Sequence, residues 1–123
     1  MNAIKSYKEL VAWQEGHKLV LMVYRNTGDF PKSELFGLVS QMRRCAVSIT
    51  SNIAEGFSRR SKKEKIHFYT FSLGSLMELE NQTLVSRDLT FITDDEFNCL
   101  QTQIDLCRRL MYGIIDSAES FPE

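Results

Sequence analysis

Proline is almost absent from this 123-residue chain, which has only Pro31 and Pro122. An interior proline costs a helix about 3 kcal/mol, so this scarcity leaves room for long helices. Cysteine is scarce too. Cys45, Cys99 and Cys107 form no Cys-x-x-Cys pair, and an odd, sparse set suits a reducing compartment. Each falls on or beside an apolar stripe, so three buried free thiols are expected. The longest apolar run, Leu19 to Tyr24, is far shorter than the roughly 20 residues a membrane span needs. Lys5, Lys8, Glu9, Glu15 and Lys18 break any secretory signal pattern in the first twenty residues. The expected setting is cytoplasmic, with no membrane partner. Net charge is nearly nil at −1, so the whole molecule is neither polycation nor polyanion.

What is present is an ordinary globular mixture, 43% hydrophobic and 25% charged, which excludes a disordered chain. The length fits one domain spanning residues 1–123, with ends expected to fray at about 1–5 and 118–123.

Periodicity and capping signals predict four helices and no strand. The first, about 7–27, opens on the capping box Ser6-Tyr7-Lys8-Glu9. Leu10, Trp13, His17, Val20, Leu21 and Tyr24 supply its apolar stripe, and Gly28 is expected in the left-handed conformation at its end. The second, about 33–57, is expected to start at Ser33 as N-cap. Its stripe is Leu35, Leu38, Met42, Cys45, Ile49 and Ile53, and Gly56 marks its C-terminal region. The third, about 61–88, opens on Ser61-Lys62-Lys63-Glu64. Ile66, Tyr69, Leu73, Leu76 and Leu84 form its stripe, with Thr70, Met77 and Thr83 alongside. Gly74 in its middle suggests close approach of a neighbouring helix. The fourth, about 93–117, opens on Thr93-Asp94-Asp95-Glu96, with Ile92 and Phe97 as a hydrophobic staple. Phe97, Leu100, Ile104, Cys107, Met111 and Ile114 run down one side. Similar lengths and short connections point to an all-α, antiparallel up-down-up-down four-helix bundle.

Apolar residues exceed what one core needs. Leu19 to Tyr24 is apolar on every side, and Phe68 and Phe71 leave the stripe of the third helix. Surplus apolar faces mark partner surfaces, so self-association is expected.

No catalytic constellation stands out. There is no Gly-x-Ser-x-Gly elbow, phosphate loop or dinucleotide turn, so the chain reads as non-enzymatic. The di-iron pattern of bundle enzymes needs two Glu-x-x-His motifs. Glu64-Lys65-Ile66-His67 matches once, and His17 is preceded at that spacing by Gln14. Neither metal nor cofactor is expected, and His17 beside Trp13 reads as a hydrogen-bonded packing histidine.

Charge is segregated along the chain. Between Arg43 and Lys65 lie seven basic residues against Glu55 and Glu64, a local net charge of +5, while the remainder nets −6. Arg59, Arg60, Lys62, Lys63 and Lys65 sit at the turn between the second and third helices, where they read as phosphate contacts. Arg43 and Arg44 either join them or serve as internal salt-bridge partners, as Arg44–Glu78 or Arg43–Glu80. Ser48, then Ser51 and the adjacent Asn52, then Glu55, each three or four residues from the last pair or residue and following Arg44, form a polar stripe. With Glu78 and Glu80 it is read as a register-setting hydrogen-bonded seam in preference to a ligand surface.

These residues also carry a family pattern. Gln41-Met42-Arg43-Arg44, Val47-Ser48-Ile49 and Ser51-Asn52-Ile53-Ala54-Glu55-Gly56 are followed by Arg60-Ser61, Glu64, Gly74-Ser75-Leu76 and Glu78-Leu79-Glu80. With Ala12-Trp13-Gln14 and Phe30-Pro31 upstream, the chain resembles the small four-helix-bundle proteins encoded in intervening sequences of bacterial 23S ribosomal RNA genes. Thr50 departs from the family's frequent proline, which implies a straighter second helix here. The resemblance implies a homopentameric ring and association with RNA or the ribosome. It also implies similarity to the accessory variability protein of diversity-generating retroelements, a pentameric barrel that binds nucleic acid and a reverse transcriptase through basic surface. The expected function is therefore a homo-oligomeric bundle that binds RNA or other nucleic acid through a basic rim. The alternative is a protein-interaction scaffold that recruits a partner protein without touching nucleic acid.

Overall fold

The computed structural model describes residues 3–122; Met1, Asn2 and Glu123 lie outside the described part, as does that much of the expected fraying. Four α-helices, α1 (Val11–Thr27), α2 (Ser40–Ser58), α3 (Lys62–Asp88) and α4 (Asp94–Glu119), make up the chain, with no strand among the described residues. Each helix packs on its sequence neighbour, and α1 closes the square against α4. Contacts fix the directions. Arg43 reaches Thr27, while a Cβ on Gly16 would meet Thr50 and Ile53, so α1 and α2 are antiparallel. Ser86 meets Met42, and Ser75 meets Ser48. Ser72 meets Met111 while Gln101 reaches Glu80, and Gln103 reaches Glu15. The topology is up-down-up-down. No helix is long and apolar enough to cross a membrane.

The core is filled by Leu19, Met42, Ile49, Ile53, Leu76, Leu79, Leu100, Ile104 and Met111, all fully buried. The predicted stripes of the second and fourth helices face it; Leu35, exposed, is the exception. The other two stripes are corrected. On α1 the buried residues are Ala12, Gly16, Leu19, Val23 and Thr27, whereas Trp13, Val20 and Leu10 are only half-buried and His17, Leu21 and Tyr24 are exposed. Small residues at 12 and 16 bring α1 close to α2, with Thr50 Cγ2 only 3.1 Å from where a Gly16 Cβ would stand. On α3 the buried residues are Tyr69, Ser72, Leu76, Leu79, Thr83 and Ser86; Thr70 and Met77 are exposed, and Ile66, Leu73 and Leu84 half-buried. The buried hydroxyls are satisfied: Ser72 donates to Ile49 O, Thr83 to Leu79 O and Ser86 to Gln82 O.

Helix ends also depart from expectation. The Ser6–Glu9 capping box forms, but it caps one 3₁₀ turn, and extended Leu10 separates that turn from α1. Gly28 stays right-handed at φ −60°, ψ −27°; Thr90, at φ 61° after α3, is the residue that turns left-handed among those described. Ser33 is not an N-cap. Residues 32–39 form a 3₁₀ turn and a π turn broken at Gly37, whose φ −113°, ψ −108° is non-helical. Glu34 accepts from Leu38 N there. From Ser40 onward α2 is unbroken, Thr50 included. The Thr93–Glu96 box forms in full, and α4 runs to Glu119, past the expected end at 117.

One ion-pair cluster ties α3 to α4. Arg108 donates to Glu80 and to Asp105, each at 2.7 Å, and Gln101 also donates to both carboxylates. The hydrogen bond from Gln101 and then that from Arg108 hold the Glu80 pKa below its ordinary value; Arg108 and then Gln101 do the same for Asp105. A carboxylate whose folded-state pKa is depressed contributes stability above its ordinary pKa and loses it as pH falls through the folded value. Arg108→Met should therefore flatten the loss of stability between neutral pH and about pH 3. Urea midpoints taken across that range check it; an unchanged pH profile would show that the cluster contributes nothing.

Candidate nucleic-acid interface

The α2–α3 turn lies at the end of the bundle shared with the start of α1 and the finish of α4. Leu10, Phe57, Lys65, Tyr69, Ser117 and Phe121 line one small cavity there. The turn is short because α2 runs to Ser58 and Ser61 already caps α3, its hydroxyl accepting from Glu64 N at 3.1 Å. The Glu64 carboxylate returns to the Ser61 hydroxyl, so this box differs in its second bond from the reciprocal one expected.

All five predicted turn cations gather at this end, but with different duties. Lys65 turns inward. Its Nζ donates to Phe57 O at 3.0 Å and Gly56 O at 3.4 Å, and stands 4.9 Å from the Phe121 ring centre. Burial pulls its pKa down. It neutralises the negative end of the α2 dipole. Arg59 is engaged by Glu55 at 3.0 Å and Glu64 at 3.7 Å and lies over Phe68. Arg60, Lys62 and Lys63 make no ion pair among the described residues. These three surround the N-terminus of the 27-residue α3, whose dipole also favours an anion.

Arg43 and Arg44 lie elsewhere, about four turns up α2. Arg43 folds onto α1, donating to Thr27 Oγ1 at 3.0 Å and Tyr24 O at 3.4 Å, with its guanidinium 4.6 Å from the Tyr24 ring centre. Arg44 is exposed. Neither expected salt bridge forms. Glu78 accepts instead from Cys45 Sγ, and Glu80 belongs to Arg108. Groups on a different helix captured Arg43, which no local spacing announces.

The polar stripe divides. Ser48 shares a 2.8 Å hydrogen bond with Ser75 across the α2–α3 seam, and Asn52 donates back to Ser48 O and Oγ. Glu55 holds Arg59, and Ser51 is exposed. Phe121 was missed as a member of this end; its signal is the apolar step from buried Ala118 to a residue three further on. His17 stacks on Trp13 at 4.9 Å but is exposed and has no hydrogen bond among the described residues. Cys99 is exposed, not buried. Burial raises the Cys45 and Cys107 thiols to about 11 and about 12, which keeps both protonated and weakly nucleophilic at neutral pH.

No curated protein sequence matches the chain. Among solved structures, the crystal structure of a protein of unknown function from the S23 ribosomal protein family of Bacteroides thetaiotaomicron VPI-5482 superimposes with a TM-score of 0.78 at 19% identity. The match covers 86% of this chain and 96% of that one. The family model described as 23S rRNA-intervening sequence protein matches residues 8–113. This chain therefore belongs to the 23S rRNA-intervening sequence protein family.

Proposed function

We propose that the protein is a non-enzymatic, cytoplasmic, homo-oligomeric ring, a pentamer, that binds RNA through the turn cations of its copies arrayed on one rim. The observation that carries this reading is the trio Arg60, Lys62 and Lys63, without ion-pair partners among the described residues, around the N-terminus of α3. Three cations, of which Arg60 and Lys63 are exposed and Lys62 half-buried, hold a nucleic acid weakly, because each phosphate contact contributes through counterion release and the contributions sum. A ring multiplies the sum without new chemistry. Arg59 and Lys65 act beneath the trio: Arg59 shapes the turn, and Lys65 cancels the opposing α2 dipole. The family's description links its members to 23S rRNA, which makes RNA the first nucleic acid to test. Burial keeps the Cys45 and Cys107 thiols protonated and weakly nucleophilic, which favours a binding role.

Replacing Arg60, Lys62 and Lys63 together by alanine should weaken RNA binding at low salt at least tenfold. The dependence on salt should flatten by roughly 0.7 in slope for each single-strand phosphate left unneutralised. Gel-shift titrations of structured and single-stranded RNA at two salt concentrations check this, and unchanged affinity would dismiss the site.

A further inference from the structure

The outward side of α3 carries a groove of about 610 Å³. Thr70, Gly74 and Ser75 floor it, and His67 and Phe71 wall it, their rings 4.7 Å apart. Phe71 is 56% exposed. A Cβ on Gly74 would meet nothing within 4 Å, so no contact among the described residues explains a glycine at a mid-helix position where it is unfavourable. Gly113 on α4 is the same: nothing lies within 4 Å of its would-be Cβ. Beside it Tyr112 is 51% exposed.

These two faces stand at one height on the bundle. With Ser72 against Met111 and α3 antiparallel to α4, Phe71 lies level with Tyr112 and Gly113. His67 lies level with Asp116, and Glu78 is within about one turn of Arg109. They nevertheless look in different directions. The groove opens on the α2 side, where Ser75 meets Ser48, whereas Tyr112 and Gly113 lie on the exposed side of α4.

We propose that the α3 groove of one copy receives α4 of the next copy, Phe71 seating at Gly113 and Tyr112 at Gly74. This rests on the assembly reading above and names the surface that would build it. Unlike faces give a head-to-tail contact, which closes into a ring when the rotation allows. Rotation about an axis along the bundle leaves each residue at its own height, so residues level within one chain become neighbours between chains. The charges then match. Glu78 faces Arg109, and His67 donates to Asp116. Among the described residues Arg109 and Asp116 have no ion-pair partner, and Glu78 accepts only from the Cys45 thiol. Both facing helices bring a glycine where backbones must approach and an aromatic ring beside it.

Sedimentation equilibrium on Glu78→Arg, Arg109→Glu, the double variant and Gly74→Trp tests this. Wild type is expected at a multiple of the 14.2 kDa chain. Each single charge reversal should drop the mass to one chain at micromolar concentration, and the double reversal should restore the multiple. Gly74→Trp should dissociate while its circular dichroism stays helical, because the site is empty within the chain. Single variants that keep the wild-type mass, or a double variant that fails to recover it, would overturn this interface and leave the assembly reading standing. Wild type at single-chain mass would overturn both.

Discussion

Leu76→Ala should cost the fold about 2–5 kcal/mol, the range for emptying a fully buried leucine site. The expectation is at the upper part of that range because α3 has few alternatives. Its core face is Tyr69, Ser72, Leu76, Leu79, Thr83 and Ser86, most of it hydroxyl-bearing. Leu76 and Leu79 are the aliphatic residues on that face, both 0% exposed. A small domain has only about 5–15 kcal/mol in total, so the variant should unfold at a markedly lower urea concentration with an unchanged slope. Its immediate neighbour gives the contrast. Met77, 58% exposed, should tolerate alanine within about 0.5 kcal/mol. Equal losses at the two positions would mean that α3 is rotated from the orientation described.

Gly56→Ala is the second large effect, and two terms oppose each other in it. Alanine favours a helix over glycine by about 1 kcal/mol, and Gly56 lies inside α2. Its Cβ, however, would fall 2.5 Å from Tyr69 Cε1, 2.7 Å from Tyr69 Cδ1 and 3.2 Å from Phe68 Cβ. The Tyr69 ring is 5% exposed, so relieving the clash must displace a buried side chain. Overpacking costs about 1–3 kcal/mol, and a clash this short belongs at the upper end. The net loss should be about 2 kcal/mol, or roughly 6–10 °C in thermal midpoint for a domain of this size. A midpoint equal to or above wild type would show that α2 and α3 are further apart than described. Gly56 is thus a packing residue of the α2–α3 seam, beyond its expected part as a marker of the helix end.

The four helices differ in how far their core faces could be read from sequence. On α2 and α4 the buried positions are large and apolar, Met42, Ile49 and Ile53 or Leu100, Ile104 and Met111, so hydrophobic period located the core directly. On α1 and α3 the helices meet through small or hydroxyl-bearing residues, Ala12 and Gly16 or Ser72, Thr83 and Ser86. Larger residues such as Leu21, Tyr24 and Met77 stand outside. A pattern weighted by hydrophobicity selects the wrong seam in that case, although the three-and-four spacing of the true one was present. The capping box at Thr93 was legible because its bonds are local. The break at Gly37, at φ −113°, ψ −108°, was not, because the apolar spacing of Leu35, Leu38 and Met42 runs through it uninterrupted.

The candidate site divides in the same way. That Arg59, Arg60, Lys62, Lys63 and Lys65 share one turn is dictated by order along the chain. Which of them are free depends on groups that only folding brings together. Lys65 is drawn in by the carbonyls of Gly56 and Phe57 and the ring of Phe121. Arg43 is drawn away to Tyr24 and Thr27. The Arg59–Glu55 pair, four residues apart across the end of α2, was open to local reading.

The central claim is that cations of several identical copies act on one RNA, and the slope of log affinity against log salt reads that number. One chain contributes Arg60, Lys62 and Lys63, which on single-stranded RNA gives a slope of about −2. Wild type should show about −4 or steeper, the signature of at least two copies engaging one strand. A slope of about −2 or shallower, or no binding at low salt, would contradict it.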